Sequence, residues 1–415
     1  MSVKKNKIER RNFLKYLGAV ALGSGFKNLL TIKKRNVEHL IPFVIPPKGV
    51  IPGVPNWYAS VCRQCSSGCG ISVKTRELRA IKVEGNDNHP VNKGKVCVRG
   101  QAGLQVLYNP DRVKNPMMRI NGKLQKTTWS KAINHVADKL KAADKDKVIY
   151  LGEPQRGSLG ILINDFFSKF GVNNVYYHDY FDDKASESAN NKSFGYNATK
   201  DYDIGNAKYV ISLGANFLQN GANPVKHSVS FGEMRDRNSG NEDHRGWLTQ
   251  FEPRMTITGA TADDWHPIKP HTEGLIALAI ANIIVEKGWY DKAVEGEIKG
   301  WEDTLAKNDA QSIAKKAGVT ALVLEEVAEK FAHSGSSIAI CGGSGTAQES
   351  GVFNATAANI LNHLVGSVGK KGGVRFPAPS DLGVATQVMN YKQMKDLSKK
   401  MGDGNIDVAF IHNAD

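Results

Sequence analysis

Residues 62–70 read Cys62-Arg63-Gln64-Cys65-Ser66-Ser67-Gly68-Cys69-Gly70, and residues 97–100 read Cys97-Val98-Arg99-Gly100. The frame is C-x2-C-x3-C with a fourth cysteine after 27 intervening residues, and it takes four of the five cysteines in the chain. Four thiolates converging on one place is what a [4Fe–4S] cube requires, because each iron takes one external sulfur. Tight turns must gather the first three, and Gly68 and Gly70 supply the backbone freedom. A structural zinc held by four cysteines is the alternative. Zinc ribbons pair two close knuckles, whereas Cys97 has no near partner, so the spacing favours the cluster. Disulfides fit least, since a chain of 415 residues builds a large core without staples. Arg99 places a cation two residues past Cys97, where it would raise the cluster's potential or bridge it to an anionic cofactor; a plain surface arginine is the other reading.

Outside this stretch the composition is that of a globular protein, 41% hydrophobic and 23% charged, and the length allows two or three domains. A formal charge of +14 suggests nucleic acid, but residues 1–36 alone hold ten Lys/Arg against Glu9. The remaining chain carries 45 basic and 40 acidic residues, so a nucleic-acid partner is discounted. Arg10-Arg11-Asn12-Phe13-Leu14-Lys15 precedes a short apolar run interrupted by Gly18, Gly23 and Gly25, the pattern of a twin-arginine export signal. That route carries folded proteins, which suits a cluster inserted before export. No clean A-x-A cleavage site follows, which is consistent with a leader retained as an anchor. Pro42, Pro46, Pro47, Pro52 and Pro55 mark an extended linker.

Beyond the cysteine segment, strands alternate with helices. Val148–Leu151, Tyr209–Leu213, Trp247–Phe251 and Ser337–Ile340 read as buried strands. Helices are expected from Trp129 behind a Thr128 cap, over Ile161–Phe170, after Asn223-Pro224, over Leu275–Val285 behind Thr272, and over Phe353–Val365. Such alternation specifies an α/β fold with doubly wound parallel sheets, here preceded by a small strand-rich segment. Ligands in these sheets sit beyond the strands' carboxyl ends. Three such ends are chemically suggestive: Gly214-Ala215-Asn216, Glu252, and Cys341-Gly342-Gly343-Ser344-Gly345 with N–H groups for a phosphate. Plain packing turns are the other reading of each. Cys341 reads as a core thiol.

The cysteine frame, Cys97-Val98-Arg99-Gly100-Gln101-Ala102-Gly103 and Leu107-Tyr108-Asn109-Pro110-Asp111-Arg112 resemble the opening domain of the molybdopterin oxidoreductase family. The resemblance runs from about Pro55 to the end of the chain. It implies a [4Fe–4S] cluster on Cys62, Cys65, Cys69 and Cys97, with Arg99 as the relay to a molybdenum or tungsten bis(pterin guanine dinucleotide). It also implies cofactor contacts at Gly214, Asn216, Glu252, Gly342, Gly343 and Gly345. The implied layout is a leader at 1–36, a linker at 37–56, a cluster domain at 57–112, a first α/β domain at 113–177 plus 380–415, and a second at 178–379. The family's C-terminal barrel is absent. The chain stops on a strand with no helix after it, which reads as a fragment or a split gene.

Family enzymes ligate the metal with cysteine, selenocysteine, serine or aspartate, in a segment that here reads His178-Asp179-Tyr180-Phe181-Asp182-Asp183-Lys184-Ala185-Ser186. Asp182, Asp183 and Ser186 are its candidate ligands, a solvated acidic turn the other reading. Further motifs, among them Leu213-Gly214-Ala215-Asn216-Phe217-Leu218, Thr256–Trp265 and Leu361-Asn362-His363-Leu364-Val365-Gly366, are more similar to the large iron–sulfur subunit of alternative complex III, a membrane quinol:electron-acceptor oxidoreductase. This implies an electron-transfer subunit outside the cytoplasmic membrane, working with ferredoxin-like iron–sulfur and membrane quinol-interacting subunits. The alternative is a catalytic reductase of polysulfide, thiosulfate or arsenate.

Overall fold

The computed structural model describes residues 45, 47–155, 157–179, 183–236, 245–378 and 388–413. The expected export signal and Asp182 lie outside these residues. Among the described residues no helix is long and apolar enough to cross a membrane. The chain divides into two compact units. The smaller contains the stretch up to Asn56 and the turn Arg76–Arg79. Arg76 Nη2 donates to Gly53 O at 2.9 Å and Gly53 N donates to Glu77 Oε1 at 2.7 Å. Everything else belongs to the larger unit.

In chain order the strands are β1 (Asn56–Val61), β2 (Gly70–Arg76), β3 (Arg79–Gly85), β4 (Met117–Ile120), β5 (Lys123–Lys126), β6 (Val148–Gly152), β7 (Val175–Tyr177), β8 (Asp201–Tyr202), β9 (Tyr209–Leu213), β10 (Trp247–Glu252), β11 (Asp264–Pro267), β12 (Ser337–Cys341), β13 (Val374–Arg375) and β14 (Val408–His412). β1, β2 and β3 form one sheet in that order, and β4 and β5 an antiparallel hairpin. A three-stranded parallel sheet has the order β14-β6-β7, so the last strand returns beside one laid down some 260 residues earlier. A four-stranded parallel sheet has the order β11-β10-β9-β12. Every residue of β9 and β12 is buried, which is why both read as near-continuous apolar runs.

Helices cover both faces of the larger sheet. On one side Glu273–Glu286, Ala321–His333 and Gly351–Leu364 join a core of Ile211, Leu213, Phe251, Ile276, Ile280 and Phe331. On the other, Val210, Leu248, Ile338 and Ile340 pack with Phe217 and Met234. β12 is an edge strand, and its edge is covered by a side chain. Fully buried Asn362 accepts from Ala339 N at 2.8 Å and donates to Ala339 O at 2.8 Å, standing where a neighbouring strand would be.

Two helix expectations change. Thr128 does cap Trp129–Ala142, accepting from Lys131 N at 3.3 Å. The apolar positions Trp129, Ile133, Val136 and Leu140 follow the spacing of one helix face, but only Leu140 is buried. A sheet of three strands is narrow, and its core covers the last turn of this helix alone. Thr272 precedes Glu273–Glu286 without capping it. Its hydroxyl donates to Lys269 O at 2.6 Å, and the N–H of Gly274 in the first turn goes to Asn354 Oδ1 at 3.1 Å.

Candidate cofactor site

The loop between β1 and β2 carries three of the cysteines. Cys62 N donates to Cys69 O at 2.8 Å and closes it. Gly68 has φ +60°, a conformation that favours glycine. Gly70 is needed for a different reason: a Cβ there would stand 2.4 Å from the His89 ring. Buried Asn92 accepts from Gly70 N and donates to Gly70 O and Lys95 O, so the segment leading to Cys97 is tied against the loop carrying Cys69. Cys97 is the N-cap residue of the helix Val98–Leu107, and at Gly100 a Cβ would come 3.4 Å from Cys62 Sγ.

The four thiols share one neighbourhood. Burial pushes the Cys69 thiol up to about 11, and Cys62, Cys65 and Cys97 push the same way. Cys62 is also raised, by burial first, with Cys65 and Cys97 adding and Arg99 pulling down. All four are free, Cys69 is buried and the others are half-buried. Bound iron deprotonates such thiols outright. Among the described residues no group of three or more His, Cys, Asp or Glu stands as a ready metal-ion site. A cube spreads its sulfurs over four irons, wider than the shell around one ion. Local and close enough to shift one another's titration, the four cysteines fit a [4Fe–4S] cluster.

Beside Cys97 lies a cavity of about 1000 Å³. One wall is Lys95–Arg99; the other is Leu218–Asn220 with the helix Pro224–Arg235. Arg99 therefore faces both a cluster ligand and a space large enough for a pterin group. Lys93 Nζ to Glu233 Oε1 at 2.6 Å and Ser67 Oγ to Ala222 O at 3.0 Å fix that helix and the loop before it to the cluster segment.

The three strand ends are engaged internally. Gly214, at φ +69°, packs against the turn after β12: a Cβ on it would stand 2.5 Å from Ser344 Oγ and 2.6 Å from Gly345 N. Gly342 N, Ser344 N and Gly345 N were expected to be free for a phosphate. They donate instead to Leu213 O, Gly214 O and Gly342 O. Gly343 and Gly345 are glycines because the Gly214 turn leaves no room, with Cβ positions 2.5 Å from Gly214 O and 2.6 Å from Leu213 O. Asn216 accepts from Thr258 Oγ1 at 3.0 Å and donates to Gln219. Buried Glu252 accepts from Thr256 N at 2.7 Å, Thr256 Oγ1, Trp265 Nε1 at 3.1 Å and Gln250 Nε2 at 3.0 Å. Both its oxygens are taken.

The candidate ligand segment is engaged too. Asp183 is the N-cap of the helix Lys184–Phe194, one oxygen accepting from Ser186 N at 3.0 Å. The other accepts from Thr346 Oγ1 at 3.1 Å. Burial raises its pKa, partly offset by these bonds and by Lys200. It is no solvated turn, and Ser186 is buried beneath it. Lys200, Thr346 and Asn359 complete this polar group and were missed in the sequence. Lys200 is buried, donates to Asn359 Oδ1, and is held down at about 8 by desolvation. A lone lysine in a polar stretch carries no local signal of burial.

A [4Fe–4S] segment followed by doubly wound sheets, with a cavity beside the cluster, marks an oxidoreductase of one recognisable class. Residues 55–109 match the molybdopterin oxidoreductase Fe4S4 domain and residues 112–415 match molybdopterin oxidoreductase, so the chain belongs to the molybdopterin oxidoreductase family. Membership brings the family's two cofactors, the [4Fe–4S] cluster and the molybdopterin. Among curated relatives it is similar to the menaquinone reductase molybdopterin-binding-like subunit of Nitratidesulfovibrio vulgaris, with 27% identity over 377 residues, 89% of this chain and 52% of that protein. It is also similar to the arsenate respiratory reductase molybdopterin-containing subunit of a Shewanella species, with 25% identity over 369 residues, 78% of this chain and 42% of that one. The chain thus spans about half the length of these relatives. Acetylene hydratase from Pelobacter acetylenicus shares the fold, with a TM-score of 0.65 and 19% identity over 78% of this chain and 45% of that one.

Proposed function

We propose that this chain is the iron–sulfur electron-transfer subunit of a membrane-associated respiratory complex that exchanges electrons with a quinone pool. One observation carries the reading. The four cluster ligands are local and complete, whereas Asp183, the described carboxylate among the candidate metal ligands, is committed to a helix cap and to Thr346. Conduction needs the cluster alone; oxo-transfer needs a positioned protein ligand and an open coordination place. Similarity to the menaquinone reductase subunit supports the same reading.

A second reading, a catalytic reductase of a small anion, draws on the cavity beside Arg99 and on the arsenate reductase relative. In it, Gly214, Asn216, Glu252, Gly342, Gly343 and Gly345 would have to release their internal partners to receive nucleotide tails. We further propose that the protein is exported through Arg10 and Arg11, and works on the outer face of the cytoplasmic membrane with ferredoxin-like and quinol-interacting subunits. The test is to purify the assembly and measure iron, molybdenum and tungsten together with quinol oxidation. Quinol oxidation that needs the cluster iron, with no anion reduction, supports electron transfer. Stoichiometric molybdenum or tungsten, with anion reduction lost in Asp183→Ala, overturns it.

A further inference from the structure

Residues 57–112 hold nine Lys/Arg against four Asp/Glu, whereas residues 113–415 hold 35 of each. The positive charge of the folded body is therefore concentrated in the cluster segment, and an oxidised cube with four thiolates offsets only about two of those charges. The same segment carries an uncovered apolar strand. Among the described residues β1 lies at one edge of its sheet, and from Trp57 to Val61 every residue is exposed, on both faces. Trp57, Tyr58 and Val61 are the large apolar side chains among them. An exposed apolar strand at a sheet edge is a surface that natural proteins cover.

Its position matters as much as its chemistry. β1 runs straight into Cys62, and Val61, 54% exposed, is that ligand's neighbour in the chain. Three of the four ligands are themselves only half-buried. Lys74 Nζ stands 5.5 Å over the Trp57 ring, and exposed Arg63, whose guanidinium donates to Gln155 Oε1, follows the strand two residues on. An aromatic centre beside cations has the anatomy of an interface core and rim, with the sign of charge that steers an acidic partner.

We propose that the edge strand Trp57–Val61 with its basic rim is the docking face for an acidic electron-transfer protein, which exchanges single electrons with the cluster. The proposal rests on the electron-transfer reading and specifies where electrons enter or leave. One electron passes from the reduced carrier to the oxidised cube; no bond or proton moves.

The probe is a reduced plant-type [2Fe–2S] ferredoxin, a small acidic one-electron carrier, mixed with the cluster-loaded chain in a stopped-flow instrument while cluster absorbance bleaches. The expected second-order rate falls at least about tenfold between roughly 20 and 300 mM salt. At low salt it falls about fivefold or more in Lys74→Glu and in Trp57→Ser. Dithionite, a small reductant needing no docking face, reduces wild type and both variants alike, which shows that each is folded and loaded. Rates insensitive to salt, or wild-type rates in Lys74→Glu, overturn the docking face while leaving electron transfer standing. A cluster that dithionite cannot reduce sinks the electron-transfer reading itself. Binding of oligothymidylate to this face, with loss of that binding in Trp57→Ser, would assign it to single-stranded nucleic acid and overturn the proposal.

Discussion

Replacing Asn362 with leucine tests whether one side chain closes the edge of the larger sheet. The amide stands against β12, accepting from Ala339 N and donating to Ala339 O, both at 2.8 Å, and donating also to Ala358 O at 3.0 Å. Leucine has nearly the same volume, so the packing around Leu361 and Leu364 survives and the polar loss is isolated. Two backbone groups of Ala339, in a strand buried along its whole length, are left without partners. Each such group costs about 1–3 kcal/mol, so the expected loss is about 2–6 kcal/mol. In a region of some 200 residues that lowers the thermal midpoint by on the order of 10 °C. Urea unfolding followed by tryptophan fluorescence measures it. His363→Ala is the matched control: its partner Glu297 lies on the surface, and the expected change is below about 1 kcal/mol. A loss within about 1 kcal/mol for Asn362→Leu would refute the edge-capping account.

Cys97→Ser is expected to lower iron well below the roughly four per chain of the reconstituted protein, while Cys341→Ser, in the core of the larger sheet, leaves iron content unchanged; iron analysis and visible absorbance read both. Lys200 gives a pH dependence of defined sign. Burial holds it down at about 8, and the unfolded chain returns it to about 10.4, so between those values the unfolded state binds more protons and this group makes stability rise with pH. Comparing urea midpoints at pH 7.5 and 9.5 should show that rise in wild type and its loss in Lys200→Met. Gly214→Ala forces a side chain into a φ of +69° and against Ser344 Oγ, and is expected to cost at least about 2 kcal/mol by the same urea assay.

The sequence by itself determined the chemistry that depends on spacing and on local period. Cys62, Cys65 and Cys69 lie within one short loop, so their convergence is a property of eight consecutive residues, and the fold only had to bring Cys97 to them. β9 and β12 were legible because a parallel strand buried on both faces must be apolar throughout. Thr128 was legible as a cap because a helix start leaves donors that a neighbouring oxygen can satisfy. Short β7 and polar β11 carried no such run and were missed.

Tertiary structure decided whether a suggestive residue was available. Glu252, Asn216 and the Gly342–Gly345 turn have the composition of a ligand seat, and sequence cannot show that Thr256, Trp265, Thr258 and Gly214 already fill it. Nor can it show that Arg99 faces a cavity whose other wall begins at Leu218, or that Asp183 is bound to Thr346, 163 residues away. The helix stripe from Trp129 shows the same limit, since periodicity says that a face is apolar but not what covers it. Bonding within a loop or a helix turn is fixed by a few neighbouring residues. Which partner occupies a hydrogen-bonding group or an apolar face depends on chain brought together over hundreds of residues.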